Sequence, residues 1–210
     1  MFKYISFFIL ILFPLSVFAQ NVNKSSDSLN INFSQSTNLD VSVGLSPESK
    51  FYFLKKWKEG IDLFLTFNQD KKAEKMLAFS DKRLAEYGQL LDKGNIARAG
   101  EILQDYESQV AQLQDYLEKA KKAKKNVDEV SAKVSERIVK HQEVLSRVYQ
   151  KVPEPAKEAL KNVLQKSADK LPGFLERLTN PEVYSGAINK SKTIKNQIQN
   201  TLTNENFQGF

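Results

Sequence analysis

The sequence predicts an all-α protein, and three observations support that fold class. Its 210 residues include only eight glycines and six prolines, too few for a turn-rich β-sandwich. The helix-forming residues Lys, Glu, Leu, Ala and Gln are abundant. After Gly94, apolar residues recur at alternating spacings of three and four over a long stretch. We expect an elongated helical bundle built on one long central helix, with an N-terminal helical hairpin and a C-terminal helix folded back.

The first nineteen residues have the organisation of a secretory signal peptide. Lys3 is followed by an apolar run from Ile5 to Phe13, and Val17-Phe18-Ala19 places small residues where a signal peptidase cleaves. The alternative is an uncleaved anchor, but Ile5 to Ala19 is shorter than the ~20 residues of a spanning helix. We expect cleavage after Ala19 and an extracytoplasmic protein, in the cell envelope or secreted. A second long apolar run is absent from the sequence, which predicts no membrane span after cleavage.

The composition changes twice along the remaining chain. Residues 20–45 are mostly Asn, Ser, Thr and Asp, which predicts a flexible polar linker. Residues 46–178 carry helical periodicity and form the predicted helical domain. Residues 179–210 are rich in Asn, Gln, Lys and Thr, so we expect a flexible or weakly helical tail.

The first predicted helix runs from Pro47 to Phe67, with Ser46 as its N-cap. It is the most aromatic part of the chain, and its apolar residues at helical spacing predict a helix that anchors the core. The same side chains would be the apolar contacts of a protein that holds unfolded clients, and burial in the core is the commoner fate of such residues. The candidates for either role are Phe51, Trp57, Phe64 and Phe67.

The next predicted element is a helical hairpin. Asp70 can cap a helix to about Leu91, and Gly94-Asn95 can end it and cap the next one.

The heptad pattern then predicts a helix from Ile96 to Val152, about 85 Å long at ~1.5 Å per residue. The sequence leaves open whether this helix is continuous or is kinked or split around Lys121–Asn126, where apolar residues are scarcest. Its apolar seam could be filled within the chain or by a second copy, as in a homo-oligomer. Glu154–Leu171 predicts a further helix that stops at Pro172-Gly173, and Phe174–Leu178 a short turn or helix.

The opening of the helical region is similar to a known family. The resemblance begins at Leu45–Trp57 and includes Leu63–Phe67, Arg83–Glu86 and His141–Leu145, and it covers about residues 45–170. These segments resemble an uncharacterised family of exported bacterial all-helical domains, common in candidate-phyla bacteria and known only as a domain of unknown function. The resemblance implies an exported helical protein and transfers no functional residues.

The sequence lacks the residues that most enzyme chemistries require. Without cysteine, the chain has no disulfide framework, thiolate zinc site or cysteine nucleophile. With one histidine, His141, it cannot form a multi-histidine metal site. His141 is either a pH-sensitive contact or metal ligand, or a core histidine hydrogen-bonded to a carboxylate, and we favour the core histidine. Phosphate-loop, dinucleotide and nucleophile-elbow motifs are absent. We therefore predict a protein that is not an enzyme and has no cofactor.

Five lysines form the sharpest charge cluster of the sequence. They suit an anionic envelope polymer or lipid headgroups, or else they form a solvated surface that keeps the protein soluble. No aromatic residue lies among them to stack on bases, which argues against nucleic acid. We call them the lysine cluster: Lys119, Lys121, Lys122, Lys124 and Lys125.

Two functions remain in view. The leading hypothesis is an exported, non-enzymatic helical protein with a structural or interaction role, whose partner is a protein or an envelope polymer. The alternative is an extracytoplasmic helical chaperone that holds unfolded clients.

Overall fold

Six helices account for most of the structure, a computed structural model that describes residues 41–123, 127–175 and 181–207. These residues form no strand, which confirms the all-α prediction. The predicted signal peptide and nearly all of the predicted linker lie outside the described residues. The helices are α1 (Tyr52–Phe64), α2 (Gln69–Asp92), α3 (Ile96–Lys122), α4 (Asp128–Tyr149), α5 (Glu154–Leu175) and α6 (Pro181–Phe207).

Helices α2 to α5 form a four-helix bundle. α2 packs along α3 and α4 along α5, and further contacts of α3 with α5 and of α2 with α4 close the ring. α3 and α4 therefore face each other across the diagonal. The core between the four helices is mainly apolar, and the buried polar side chains outside the two clusters described below include Gln142 and Ser167. Its most deeply buried aliphatic and aromatic residues include Leu84, Leu91, Leu103, Leu113, Leu117, Ile138, Leu145, Leu160 and Phe174.

The prediction of one continuous helix from Ile96 to Val152 is wrong. α3 ends at Lys122 and α4 begins at Asp128, within the region where the sequence left a break open. The Tyr106 hydroxyl and the His141 Nδ1 lie 3.2 Å apart, whereas 35 residues of straight helix would separate them by about 50 Å. Folding back buries the apolar seams of both halves in one core, which an extended rod would leave open to water. The seam is thus filled within a single chain.

The α2–α3 hairpin is confirmed, although one cap differs from the prediction. Asn68, and not Asp70, caps α2: its Oδ1 accepts from the backbone N–H of Asp70 at 2.9 Å. At the other end Gly94 has a φ of +71°, the left-handed conformation that glycine adopts without strain. The Asn95 side chain then caps α3 by accepting from the backbone N–H of Arg98 at 3.3 Å.

α1 is shorter than predicted at both ends. Residues 46–51 form turns in place of the predicted first helical turn, with the Ser49 N–H donating to the Ser46 carbonyl at 3.0 Å. Helix begins at Tyr52 and ends at Phe64. Ser46 is therefore a turn residue and not the N-cap of the helix.

α5 and α6 also differ from the sequence-based boundaries. α5 continues through Pro172 to Leu175, so the predicted stop is wrong. Leu171 and Phe174 on either side of this proline are fully buried, and their packing offsets the hydrogen bond that proline removes. The remainder of the predicted Phe174–Leu178 element lies outside the described residues. Of the two alternatives for the tail, the helical one is observed: α6 packs on α4 and α5 and buries Ile194.

Candidate functional site

α1 packs on the bundle through polar side chains. Tyr52, Lys55 and Glu59 lie at spacings of three and four and therefore share one face of the helix. That face meets Arg83 and Glu86 of α2. The Tyr52 hydroxyl donates to Glu86 Oε2 at 2.6 Å, Lys55 pairs with the other oxygen of Glu86, and Arg83 pairs with both Glu86 and Glu59. We call these five residues the Arg83 cluster.

The charges of the Arg83 cluster balance inside a buried site. Arg83 and Glu86 are completely buried, and Lys55 and Glu59 nearly so. Burial lowers the pKa of Arg83, but the carboxylates of Glu86 and Glu59 raise it by more, so the net pKa is raised and the guanidinium stays charged. Burial and the Glu86 hydrogen bond raise the pKa of Tyr52 well above its ordinary value. The cluster is therefore a fixed set of two cations, two anions and a neutral phenol.

Four further contacts hold α1 and the residues next to it. Lys56 Nζ lies 2.8 Å from Asp105 Oδ2 of α3. Asp62 accepts from Lys75 Nζ at 2.5 Å, and Lys75 also donates to the Thr66 hydroxyl at 2.9 Å. Lys55 also donates to the Val43 carbonyl and so ties the chain before α1 to the cluster.

The opposite face of α1 is apolar and exposed. We call its five side chains the apolar face: Phe53, Leu54, Trp57, Ile61 and Phe64, with exposed fractions of 62%, 45%, 68%, 40% and 78%. They lie at helical spacing on one side of the helix, away from the Arg83 cluster. The helix thus presents its apolar side to the outside and its polar side to the bundle, the reverse of the usual arrangement.

The prediction that the aromatic segment anchors the core is therefore wrong. Phe51, Trp57, Phe64 and Phe67 are 63%, 68%, 78% and 86% exposed. Only Tyr52 of the aromatic opening is buried, with Leu63 packed partly against the core. The partner of α1 accounts for this orientation: the buried Arg83 and Glu86 of α2 need polar partners beyond their own ion pair, and the polar face of α1 supplies them.

The Arg83 cluster was not identified from the sequence, although its signal is present. Arg83 and Glu86 lie one turn apart on α2, among apolar residues on both sides of that helix. On α1, Tyr52, Lys55 and Glu59 recur at spacings of three and four, and Lys55 and Glu59 carry charges opposite to those of Glu86 and Arg83. A search for charges of opposite sign at matching helical spacing would have paired the two helices.

His141 lies at the centre of the bundle and is fully buried. Its Nε2 is 2.6 Å from Asp81 Oδ1 of α2 and its Nδ1 is 3.2 Å from the Tyr106 hydroxyl of α3. A neutral imidazole protonated on Nε2 donates to Asp81 and accepts from Tyr106, which satisfies every atom of the group. Burial lowers the pKa of His141, and the Asp81 hydrogen bond opposes that shift without reversing it. This is the core histidine bound to a carboxylate that the sequence favoured.

The lysine cluster is only partly within the described residues. Lys119, Lys121 and Lys122 are exposed in the last turn of α3, where cations complement the helix dipole. Lys119 also lies over the Tyr116 ring at 5.8 Å. Lys124 and Lys125 lie outside the described residues. A surface role at the end of α3 is sufficient to account for the three described lysines.

The remaining concavity of interest is a groove of about 780 Å³ between α4 and α6. Its lining is mostly amides and hydroxyls, with Glu143, Arg147 and Lys190 as the charged residues. No pair of carboxylates faces another across it. Within the described stretches, His, Asp and Glu side chains nowhere gather in threes as a metal site would need. No helix among the described residues is long and apolar enough to cross a membrane.

These observations define a four-helix bundle that carries an amphipathic helix with its apolar face outward. The profile of the family DUF5667, a domain of unknown function, matches residues 44–155, and the chain belongs to this family. The match begins just before α1 and ends at the start of α5. No curated protein and no solved structure matches the chain.

Proposed function

We propose that this is an exported, non-enzymatic helical protein that acts by binding another macromolecule through α1. One observation carries the proposal: the apolar face of α1 is exposed while the opposite face of the same helix is fixed to the bundle. Contiguous exposed apolar patches mark interaction sites on soluble domains. A rigid helix face is already ordered before its partner arrives, which lowers the entropy lost on binding.

The partner in this proposal is a protein or an anionic envelope polymer. Lys58 is exposed on α1 one turn from Leu54, Lys50 is exposed in the turn before the helix, and the lysine cluster adds positive charge at the end of α3. Positive charge steers anionic partners toward the protein, and the chain carries a net charge of +6. Export rests on the signal-peptide pattern of the first nineteen residues.

Photo-crosslinking in cells tests the proposal. A photoreactive phenylalanine analogue at position 64 lies on the apolar face, and the same analogue at position 165 replaces the exposed Gln165 of α5. We expect a discrete adduct from position 64 that is absent from position 165. Equal, diffuse labelling from both positions would contradict a docking role for α1.

The alternative proposal is an extracytoplasmic chaperone that holds unfolded clients. The exposure of Phe64 and Phe67, at 78% and 86%, favours it over a purely structural rod. We expect such a protein to suppress aggregation of an unfolded client, and the variant Phe64→Ser/Phe67→Ser to lose that activity while remaining folded. Adducts to many unrelated exported proteins at position 64 would favour this alternative over a single partner.

A further inference from the structure

We infer that the apolar face of α1 binds to the interfacial layer of an anionic lipid bilayer. The inference rests on the part of the proposed function that makes the apolar face a binding surface, and it assigns that surface to lipid in place of a protein or an envelope polymer. α1 would lie parallel to the membrane, with the bundle on the aqueous side.

The shape of α1 fits an interfacial helix. Its thirteen residues extend about 20 Å, too short to span a bilayer. Interfacial helices place Trp, Phe and Leu on one side, immersed at the boundary between headgroups and acyl chains. Phe53, Trp57 and Phe64 form such a row, and Leu54 and Ile61 complete it.

The chemistry of the face favours lipid over a protein groove. A specific protein interface carries about one hydrogen bond per 100–200 Å². Four of the five side chains on the apolar face are hydrocarbon, and the only polar group is the indole N–H of Trp57. An indole is favoured at the membrane interface because its ring lies among apolar groups while its N–H reaches water or a headgroup.

The charges around the face are complementary to anionic headgroups. Both acidic residues of α1 are already paired, Glu59 with Arg83 and Asp62 with Lys75. Lys58 is exposed on α1 one turn from Leu54, Lys50 is exposed in the turn before the helix, and neither forms an ion pair with any residue in the described part of the chain. The surface of the protein that would meet the bilayer therefore has an excess of positive charge, and basic residues are attracted to anionic lipids.

The way α1 is attached leaves this face free to insert. The helix is held by the Arg83 cluster and by the pairs Lys56–Asp105 and Lys75–Asp62, none of which uses a side chain of the apolar face. Insertion therefore requires neither separation of α1 from the bundle nor exposure of the core.

Trp57 provides a direct test because it is the sole tryptophan of the chain. The full chain is mixed with vesicles of phosphatidylcholine, with or without phosphatidylglycerol, and the emission of Trp57 is recorded. We expect a blue shift with phosphatidylglycerol vesicles, and quenching by lipids brominated near the headgroup end of the acyl chain. Both responses should weaken as salt is raised, because the attraction is partly electrostatic.

Two pairs of variants separate the apolar and the charged contributions. Phe53→Ser/Phe64→Ser keeps Trp57 and should weaken partitioning about tenfold or more per aromatic removed, whereas the control Tyr184→Ser on α6 should not. Lys50→Gln/Lys58→Gln should abolish the preference for phosphatidylglycerol. The control Lys192→Gln/Lys195→Gln removes the same charge from the exposed surface of α6 and should retain that preference.

Several outcomes would overturn the inference. One is an unchanged Trp57 emission with phosphatidylglycerol vesicles when circular dichroism shows the chain folded. Another is a blue shift that grows with protein concentration without lipid, which would assign the face to a second copy. If the emission of Trp57 does not change with lipid but position 64 crosslinks to one protein, the lipid inference fails and the proposed function stands. If neither response occurs, both fail.

Discussion

His141 Nε2 lies 2.6 Å from Asp81 Oδ1, although the two residues are 60 positions apart and belong to different helices. The pair lies in the centre of the bundle, and the Tyr106 hydroxyl of a third helix completes it at 3.2 Å from His141 Nδ1. Three helices are thus aligned by one imidazole. Because the neutral ring satisfies both neighbours, the protonation state of His141 is coupled to the stability of the fold.

Acid should destabilise the protein through His141. Its pKa is lowered in the folded state from an ordinary value of 6.5, so the unfolded chain binds the proton more readily. The stabilising contribution is complete above about pH 6.5 and is lost as the pH falls through the lower folded pKa. Urea unfolding measured at intervals from about pH 7.5 to 5 should show this loss in free energy of unfolding.

The variant His141→Gln serves as the control for that measurement. It should be less stable than the wild type at neutral pH and should lose less of its stability between the same two pH values. Parallel curves for the two proteins would mean that other groups produce the acid dependence.

Removing the guanidinium of Arg83 should be costly. Arg83→Met leaves the buried Glu86 and Glu59 without their shared cation, and breaking a buried pair in this way costs about 3–5 kcal/mol. Lys93→Met, which removes a largely exposed pair with Glu48, should change the free energy of unfolding by about 0–1 kcal/mol. Chemical denaturation measures both. Limited proteolysis should also cut between α1 and α2 faster in Arg83→Met, because that residue holds α1.

The apolar face of α1 should be dispensable for stability. Trp57→Ser and Phe64→Ser remove exposed side chains, so each should change the free energy of unfolding by about 0.5 kcal/mol or less. Leu113→Ala in the core should cost about 2–5 kcal/mol. A loss of several kcal/mol at Trp57 would show that this face is covered within the folded chain.

Two glycine-to-alanine substitutions should change the free energy of unfolding in opposite directions. Gly94 has a φ of +71°, so Gly94→Ala should destabilise the protein by about 1–2 kcal/mol. Gly100 lies inside α3 with open space around the position of a Cβ, so Gly100→Ala should stabilise by about 0.5–1 kcal/mol. Thermal unfolding of the pair provides the comparison, and a stabilised Gly94→Ala would contradict the left-handed turn.

The predicted signal peptide has a simple chemical test. N-terminal sequencing of the protein recovered from outside the cytoplasm should begin at Gln20. Recovery of a membrane-bound chain that still begins at Met1 would favour the uncleaved anchor.

The sequence predicted the elements of local origin well. The α2–α3 hairpin follows from Gly94 and Asn95, whose conformations are set within a few residues. The heptad positions of α3 and α4 are buried as their spacing indicated. Burial of His141 against a carboxylate also followed, since a lone imidazole on an apolar seam needs a polar partner.

The errors arose where distant residues decide the outcome. The spacing of apolar residues is the same in one long helix and in two that fold back, so only tertiary packing distinguishes them. Likewise, the aromatic pattern of α1 predicts amphipathicity but not which side faces inward. That direction is set by Arg83 and Glu86, about thirty residues further along the chain, so it can be found only by comparing the charges of the two helices.

The family match ends at residue 155, yet the fourth wall of the bundle is α5, which begins at Glu154. α5 supplies Leu160, Leu164 and Phe174 to the core, and Ser167 accepts a hydrogen bond from the buried Gln142 of α4. The segment that matches the family is thus shorter than the segment that folds into the bundle. A fragment that ends at residue 155 would lack α5 and leave one side of the core exposed to water. Such a fragment would be prone to aggregate, and its behaviour would say little about the natural protein.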